Sequence, residues 1–141
     1  GHFLVRAEGL YVDPYSGNYP IDETKLFELA VETLGDRNDA LAHMEAVGAR
    51  TVAVRLLLNL QRIYRQRNDH ARAMVISDRL YALTRVPYHR ADRGAHALAL
   101  GAARCAIEDL GAYLDAYPNA PDAERVRVLL TRANDMVTPA N

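Results

Sequence analysis

The sequence predicts a mainly α-helical protein in which antiparallel helix pairs follow a short β-hairpin. Three observations lead to this prediction. Apolar residues alternate with other residues at the start of the chain, as in a half-buried strand. From about residue 22 onward they recur at the three-to-four-residue spacing of an amphipathic helix. Two segments of the second half also align with each other at an offset of 33 residues, which indicates a repeated helical unit.

The first element is a β-hairpin with its following loop, over residues 1–20. Strand-forming residues flank a Glu-Gly pair, and glycine suits the second position of a two-residue hairpin loop. This loop pairs Val5 with Val12 and places His2 diagonally from Asp13 on one face. The other face is wholly apolar and requires a cover; its residues are Phe3, Val5, Ala7, Leu10 and Val12.

Helix signals cover the rest of the chain. Residues 21–50 are predicted to form connecting helices, with Asp22 as an N-cap and Gly35 as a helix stop. Residues 51–141 are predicted to form the repeats and a capping helix, and Thr51 is the expected N-cap of the longest helix. The five helices expected there span about residues 52–67, 69–84, 89–100, 103–117 and 122–136.

The two aligned segments share a turn residue and a small residue. Asn68 and Gly101 fall at a tight turn between two helices, and Ala73 and Ala106 fall where two helices must lie close together. This pattern resembles the tetratricopeptide repeat, which has a period of about 34 residues. Because about three repeats are usually needed for independent stability, we expect these two to pack against further helices.

Several short motifs resemble a larger family. GHFLVR contains His2, and YVDPYSGNYP contains Asp13, in the order of a His-bearing and an Asp-bearing strand. With RLLLNLQRIYRQRND and ADRG further along, they resemble the bacterial SirB family, in which a transglutaminase-like domain precedes tetratricopeptide-like repeats. The resemblance implies that the chain is a C-terminal part of such a protein and that its hairpin is a remnant of the transglutaminase-like domain. It also implies that His2 and Asp13 belong to a degenerate triad whose cysteine lies upstream.

Charge is unevenly distributed along the chain. Residues 1–48 hold nine acids and three bases, whereas residues 49–104 hold three acids and eleven bases. Nucleic acid is a disfavoured partner, because these bases are scattered around helices without interleaved aromatic residues. We expect instead a basic face that favours an acidic protein or peptide, lined by Arg55, Arg62, Arg65 and Arg72.

The remaining polar residues form no catalytic or metal-binding pattern. The single cysteine, Cys105, is expected to be a small buried thiol, and the five histidines lack close metal-ligand spacing. No metal or cofactor is therefore predicted. Asp92-Arg93-Gly94 has two interpretations. One is a ligand contact; the other, which we favour, is an ion pair or a helix cap that joins the repeat helices, with Gly94 permitting their close approach.

These observations predict a non-catalytic protein–protein interaction module. The alternative is the C-terminal part of a transglutaminase-like or cysteine-hydrolase-like enzyme whose nucleophile lies upstream of this chain. No membrane contact is expected, since no apolar run approaches the roughly 20 residues that span a bilayer, and we expect a cytoplasmic location. The uncovered apolar face of the hairpin predicts a homodimer through residues 2–13.

Overall fold

The computed structural model describes residues 4–8, 10–12, 20–44 and 46–138. The chain divides into two compact units, residues 1–47 and residues 48–141. Within the described residues, the first unit contains a hairpin and two helices, and the second contains five helices. The prediction of a mainly α-helical fold with a leading hairpin is thus confirmed. His2 and Asp13 lie outside the described residues.

The hairpin of the first unit has the predicted register. Strand β1 (Val5–Ala7) pairs antiparallel with β2 (Leu10–Val12), and Val5 lies opposite Val12. Tyr11 of β2 exchanges two backbone hydrogen bonds with Ile21, of 2.8 and 2.9 Å. Strand β2 is therefore paired on both edges, whereas the outer edge of β1 has no partner among the described residues. On the predicted apolar face, Val5 is 52% exposed and Leu10 44% exposed.

Local capping explains both helices of the first unit. Helix α1 (Glu23–Leu34) begins where the Asp22 carboxylate accepts a 2.8 Å hydrogen bond from the Lys25 amide. It ends at Gly35, whose φ of 78° is the left-handed conformation that glycine adopts without strain. Helix α2 (Arg37–Met44) follows directly, because the Asp36 carboxylate accepts hydrogen bonds from the backbone amides of Asn38 and Asp39.

The second unit is a stack of helices in which each one packs against the next. Its helices are α3 (Ala49–Gln66), α4 (His70–Thr84), α5 (Pro87–Ala99), α6 (Ala103–Ala116) and α7 (Ala123–Val137). The prediction that Thr51 caps α3 was wrong, since Gly48 is the N-cap and its carbonyl accepts from the Thr51 amide at 2.9 Å. Pro87 opens α5, a position where its missing N–H leaves no hydrogen bond unmade.

The equivalence of the two repeats is visible in their turns and their contacts. Asn68 and Gly101 both have left-handed φ angles, of 54° and 79°. Ala73 and Ala106 are both 0% exposed, as a close helix contact requires. Gly94 permits a close approach of α5 to α6, because a Cβ atom at this position would lie 2.9 Å from Leu110 Cγ.

Candidate functional site

Helices α3, α5 and α7, the odd helices of the second unit, are linked to one another. Gln61 and Arg65 of α3 donate hydrogen bonds of 3.1 and 3.2 Å to the carboxylate of Asp92 on α5. Helix α5 also approaches α7 directly. We call the exposed side chains of α3, α5 and α7 the odd-helix face, and it is the candidate binding surface.

The arginines of the second unit are concentrated on these helices. Helices α3, α5 and α7 carry nine arginines and three acidic residues, whereas α4 and α6 carry three arginines and four acidic residues. Helix α3 alone has four arginines and no acidic residue. Arginines are therefore more frequent on one set of helices, although Arg90 and Arg93 of α5 pair with Asp109 on α6.

Three of the four arginines predicted to bind a partner lie on α3. Arg55 and Arg62 are both exposed and are seven residues apart, so they share one helix face. Arg62 forms no hydrogen bond or ion pair with any residue that the structure describes. Arg65 is held in place: its side chain is 41% exposed, and its guanidinium pairs with Asp92. Hydrogen bonding to Tyr88, with the charge of Asp92, raises the pKa of Arg65.

Arg72 has a different environment from the other three. It lies on α4, where its guanidinium pairs with Asp69 at 2.7 Å and lies 5.8 Å from the centre of the Tyr64 ring. The backbone N–H of Arg72, together with its side chain, lowers the pKa of Asp69. A partner-binding role for the four arginines stays a prediction; Arg72, like Arg65, already pairs with a carboxylate of the chain.

A buried polar network lies beneath the odd-helix face. Asp92 is 4% exposed and accepts from both Gln61 and Arg65, and Gln61 Nε2 also donates to Ser77 Oγ at 2.9 Å. The network joins α3, α4 and α5. The repeat alignment contained one signal for it, because Gln61 falls on Gly94 and a long polar residue cannot make the close contact that glycine makes.

Two histidines meet beside this network. The Nδ1 atoms of His70 and His96 are 3.2 Å apart, and His96 Nε2 is buried without a hydrogen-bond partner among the described residues. Burial lowers the pKa of His96; the nearby carboxylate of Asp92 opposes this effect, and His70 and Arg65 add to it. Within the described part of the chain, no three His, Cys, Asp or Glu side chains converge as a metal site requires.

Asp92-Arg93-Gly94 joins the repeat helices, in agreement with the favoured interpretation. Asp109 on α6 is 3% exposed and accepts from Arg93 Nε at 2.6 Å and from Arg90 Nε at 2.9 Å. Arg93 also pairs with Asp78 of α4. The hydrogen bonds and charge of Asp109 raise the pKa of Arg93 above its already high ordinary value. These contacts hold α4, α5 and α6 together.

A groove lies between α5 and α7 on the odd-helix face. It encloses a cavity of about 420 Å³. Its lining residues come from the last five residues of α5 and from residues 129–136 of α7: Ala95, Leu98, Ala99, Leu129, Arg132, Asp135 and Met136. Sequence reasoning missed this groove, because residues thirty or more positions apart form its two walls.

The expectation of a buried thiol at Cys105 was wrong, because the side chain is exposed. Successive residues of an α-helix point about 100° apart, since each turn holds 3.6 residues. The neighbouring Ala106 occupies the inward position in the helix contact. Cys105 is therefore directed away from that contact.

Together, the paired helices, the equivalent turns and the buried alanines define a helical repeat protein with an open groove on one set of helices. The chain belongs to the tetratricopeptide repeat family, which matches residues 60–131. None of the described helices is both long enough and apolar enough to cross a bilayer.

Two curated relatives are similar to most of this chain. Both carry the name UPF0162 protein and come from Xylella fastidiosa, from strains Temecula1 and 9a5c. Each is 37% identical over 136 residues, which cover 90% of this chain and 48% of the relative. The chain thus spans about half the length of the curated relatives it matches. No solved structure matches it.

Proposed function

We propose that this chain is a non-catalytic scaffold that binds an acidic segment of a partner protein on the odd-helix face. Its tetratricopeptide repeats support a protein-interaction role. The single observation that carries the choice of an acidic partner is the charge of α3, which carries four arginines and no acidic residue. Complementary charge steers a partner to such a face and rejects basic competitors.

The arginines contribute in two ways. Arg62 is exposed and unpaired among the described residues, so it is available to a carboxylate of the partner. Arg65 is already ordered by Asp92, so it loses less side-chain freedom when it binds. Exposed ion pairs contribute only about 0.2–1 kcal/mol each, so several pairs must act together. Binding is then expected to weaken as salt rises.

A selection from a displayed library of random dodecapeptides, with the whole chain immobilised, tests this function. We expect the enriched peptides to be rich in Asp and Glu and to bind less tightly at higher ionic strength. Arg62→Glu should weaken their binding, whereas Arg79→Glu is the matched control. Arg79 is also exposed and unpaired among the described residues, but it lies on α4. Equal losses in the two variants, or basic enriched peptides, would contradict the proposal.

We also propose that the hairpin derives from a transglutaminase-like domain of a SirB-type protein located in the cytoplasm. The support is the order of the motifs around His2 and Asp13 and the length of the relatives, about twice the part matched here. An exposed single thiol, Cys105, suits a reducing compartment. The enzyme alternative requires a cysteine nucleophile outside this chain's hairpin motifs, so the sequence that precedes Gly1 in a longer protein tests it directly.

A further inference from the structure

We propose that the groove between α5 and α7 is an anchor pocket that takes one large apolar side chain of the acidic partner segment, with a neighbouring carboxylate of that segment on Arg132. This inference rests on the proposed function and locates its specificity in particular residues. The occupant is a segment of a partner protein that combines a leucine, methionine or phenylalanine with an adjacent Asp or Glu.

The walls of the pocket suit an apolar side chain. Leu98 and Leu129 face the cavity from α5 and α7, and Met136 lines it near the end of α7. A thioether side chain adapts to different apolar shapes. Ala95 and Ala99 are one turn apart on α5, so small side chains form this wall and leave the space open. A volume of about 420 Å³ lies within the range of roughly 300–1,000 Å³ that is typical of binding pockets.

The charge at the pocket selects the partner. Arg132 lines the cavity and forms no hydrogen bond or ion pair with any residue in the described ranges. Asp135 is three positions further on, the spacing at which Arg127 and Glu124 of the same helix do pair, at 3.1 Å. The Arg132–Asp135 pair is not formed, so the Arg132 guanidinium remains available to a ligand carboxylate.

The wider electrostatics agree with an acidic ligand. Asp92 and Ala99 are seven residues apart on α5, so the pocket shares a helix face with the carboxylate that Arg65 contacts. A segment that lies along this face meets Arg65 at one end and Arg132 at the other. Asp135 is the one acidic residue among those that line the cavity, and it repels a carboxylate placed on its side.

The test uses fluorescein-labelled copies of the peptides enriched from the dodecapeptide library, with affinities measured by fluorescence anisotropy. Ala99→Phe fills the pocket with an aromatic ring, and Ala82→Phe, at an exposed alanine of α4, is its control. Ala99 is itself exposed, so the change leaves the helix core intact, which the far-UV circular dichroism and melting temperature verify. We expect Ala99→Phe to weaken binding about tenfold or more, and Ala82→Phe to leave it unchanged.

Removal of a positive or a negative charge at the pocket should change the affinity in opposite directions. Arg132→Gln should weaken binding about two- to fivefold, whereas Arg104→Gln on α6 should not. Asp135→Asn should tighten binding, because it removes a like charge. The enriched peptides should also share a large apolar residue next to an acidic one.

Each outcome decides between the inference and the function on which it rests. Acidic peptides that lack an apolar residue, or that bind Ala99→Phe as tightly as the parent, would overturn the anchor pocket and leave the scaffold function standing. A library that yields no acidic peptides would overturn the scaffold function as well. A parent chain that self-associates, and an Ala99→Phe chain that does not, would show that the groove binds a second copy instead.

Discussion

Replacement of Gly94 by alanine tests the repeat packing most directly. A Cβ atom at this position would lie 2.9 Å from Leu110 Cγ, 3.0 Å from Asp109 Cβ and 3.1 Å from Leu110 Cδ2. Neither neighbour can yield easily. Leu110 is 0% exposed within the core, and Asp109 is held by hydrogen bonds from two arginines. The new methyl group must therefore push α5 and α6 apart or force a side chain from its rotamer.

Two opposing contributions determine how much Gly94→Ala changes the free energy of unfolding. Overpacking of a close contact typically costs about 1–3 kcal/mol. Alanine in a helix interior is favoured over glycine by about 0.5–1 kcal/mol, which offsets part of this cost. Since both neighbours are fixed, we expect Gly94→Ala to lower the free energy of unfolding by about 1–2 kcal/mol.

The matched control is Gly111→Ala, in the middle of α6. Apart from its chain neighbours and the nearby backbone of α6, no atom lies within 4 Å of a Cβ built at Gly111, so only the helix-propensity term remains. This variant should be more stable than the parent by about 0.5–1 kcal/mol. Urea unfolding followed by far-UV circular dichroism compares the three chains. Opposite signs for the two glycines support the packing described, and a Gly94→Ala chain at least as stable as the parent would refute it.

Three further predictions concern the histidines, the hairpin and activity. Burial lowers the pKa of His96 and of His89 in the folded chain. Below the ordinary histidine pKa of about 6.5, the unfolded chain therefore binds more protons than the folded chain. The stability that these neutral histidines contribute is thus fully present above that pH and is lost as the pH falls below it, so the urea midpoint should be lower at about pH 5.5 than at about pH 7.5; equal midpoints would contradict this. Deletion of residues 1–13 should convert a dimer into a monomer with its helicity retained, since Val5 and Leu10 are exposed beside an open β1 edge; a parent that is monomeric by light scattering would exclude the dimer. The chain should release no ammonia from a model glutamine amide, and turnover abolished by His2→Ala would reverse that view.

Local signals made most of the helices predictable. The helix boundaries follow an apolar period of 3.6 residues and end at residues that tolerate a left-handed backbone, such as Gly35 and Asn68. The buried alanines were predictable because the repeat places them at equivalent positions. The N-cap of α3 was not predictable in this way. Thr51 has a better capping side chain than Gly48, yet the helix begins about one turn before Thr51.

Features that depend on distant residues could not be predicted from the sequence. Asp92 receives hydrogen bonds from residues 31 and 27 positions earlier, and no local pattern encodes that contact. The groove between α5 and α7 likewise depends on residues that are far apart in the sequence. Arg65 and Arg72 looked equivalent in a basic stretch, yet one reaches α5 and the other pairs within its own helix turn.

The two repeats use different residues at the contact between their paired helices. This difference links the core of the first repeat to the candidate binding surface. In the second repeat, Gly94 lets Leu110 approach closely. In the first, the equivalent positions hold Gln61 and Ser77, which are joined by a hydrogen bond. A buried amide requires further partners, and Asp92 accepts its second N–H. The buried carboxylate in turn requires a cation, which Arg65 supplies from the edge of the odd-helix face. The polar residues Gln61 and Ser77 of the first repeat, acting through Asp92, therefore hold Arg65 in place where an acidic partner is expected to bind.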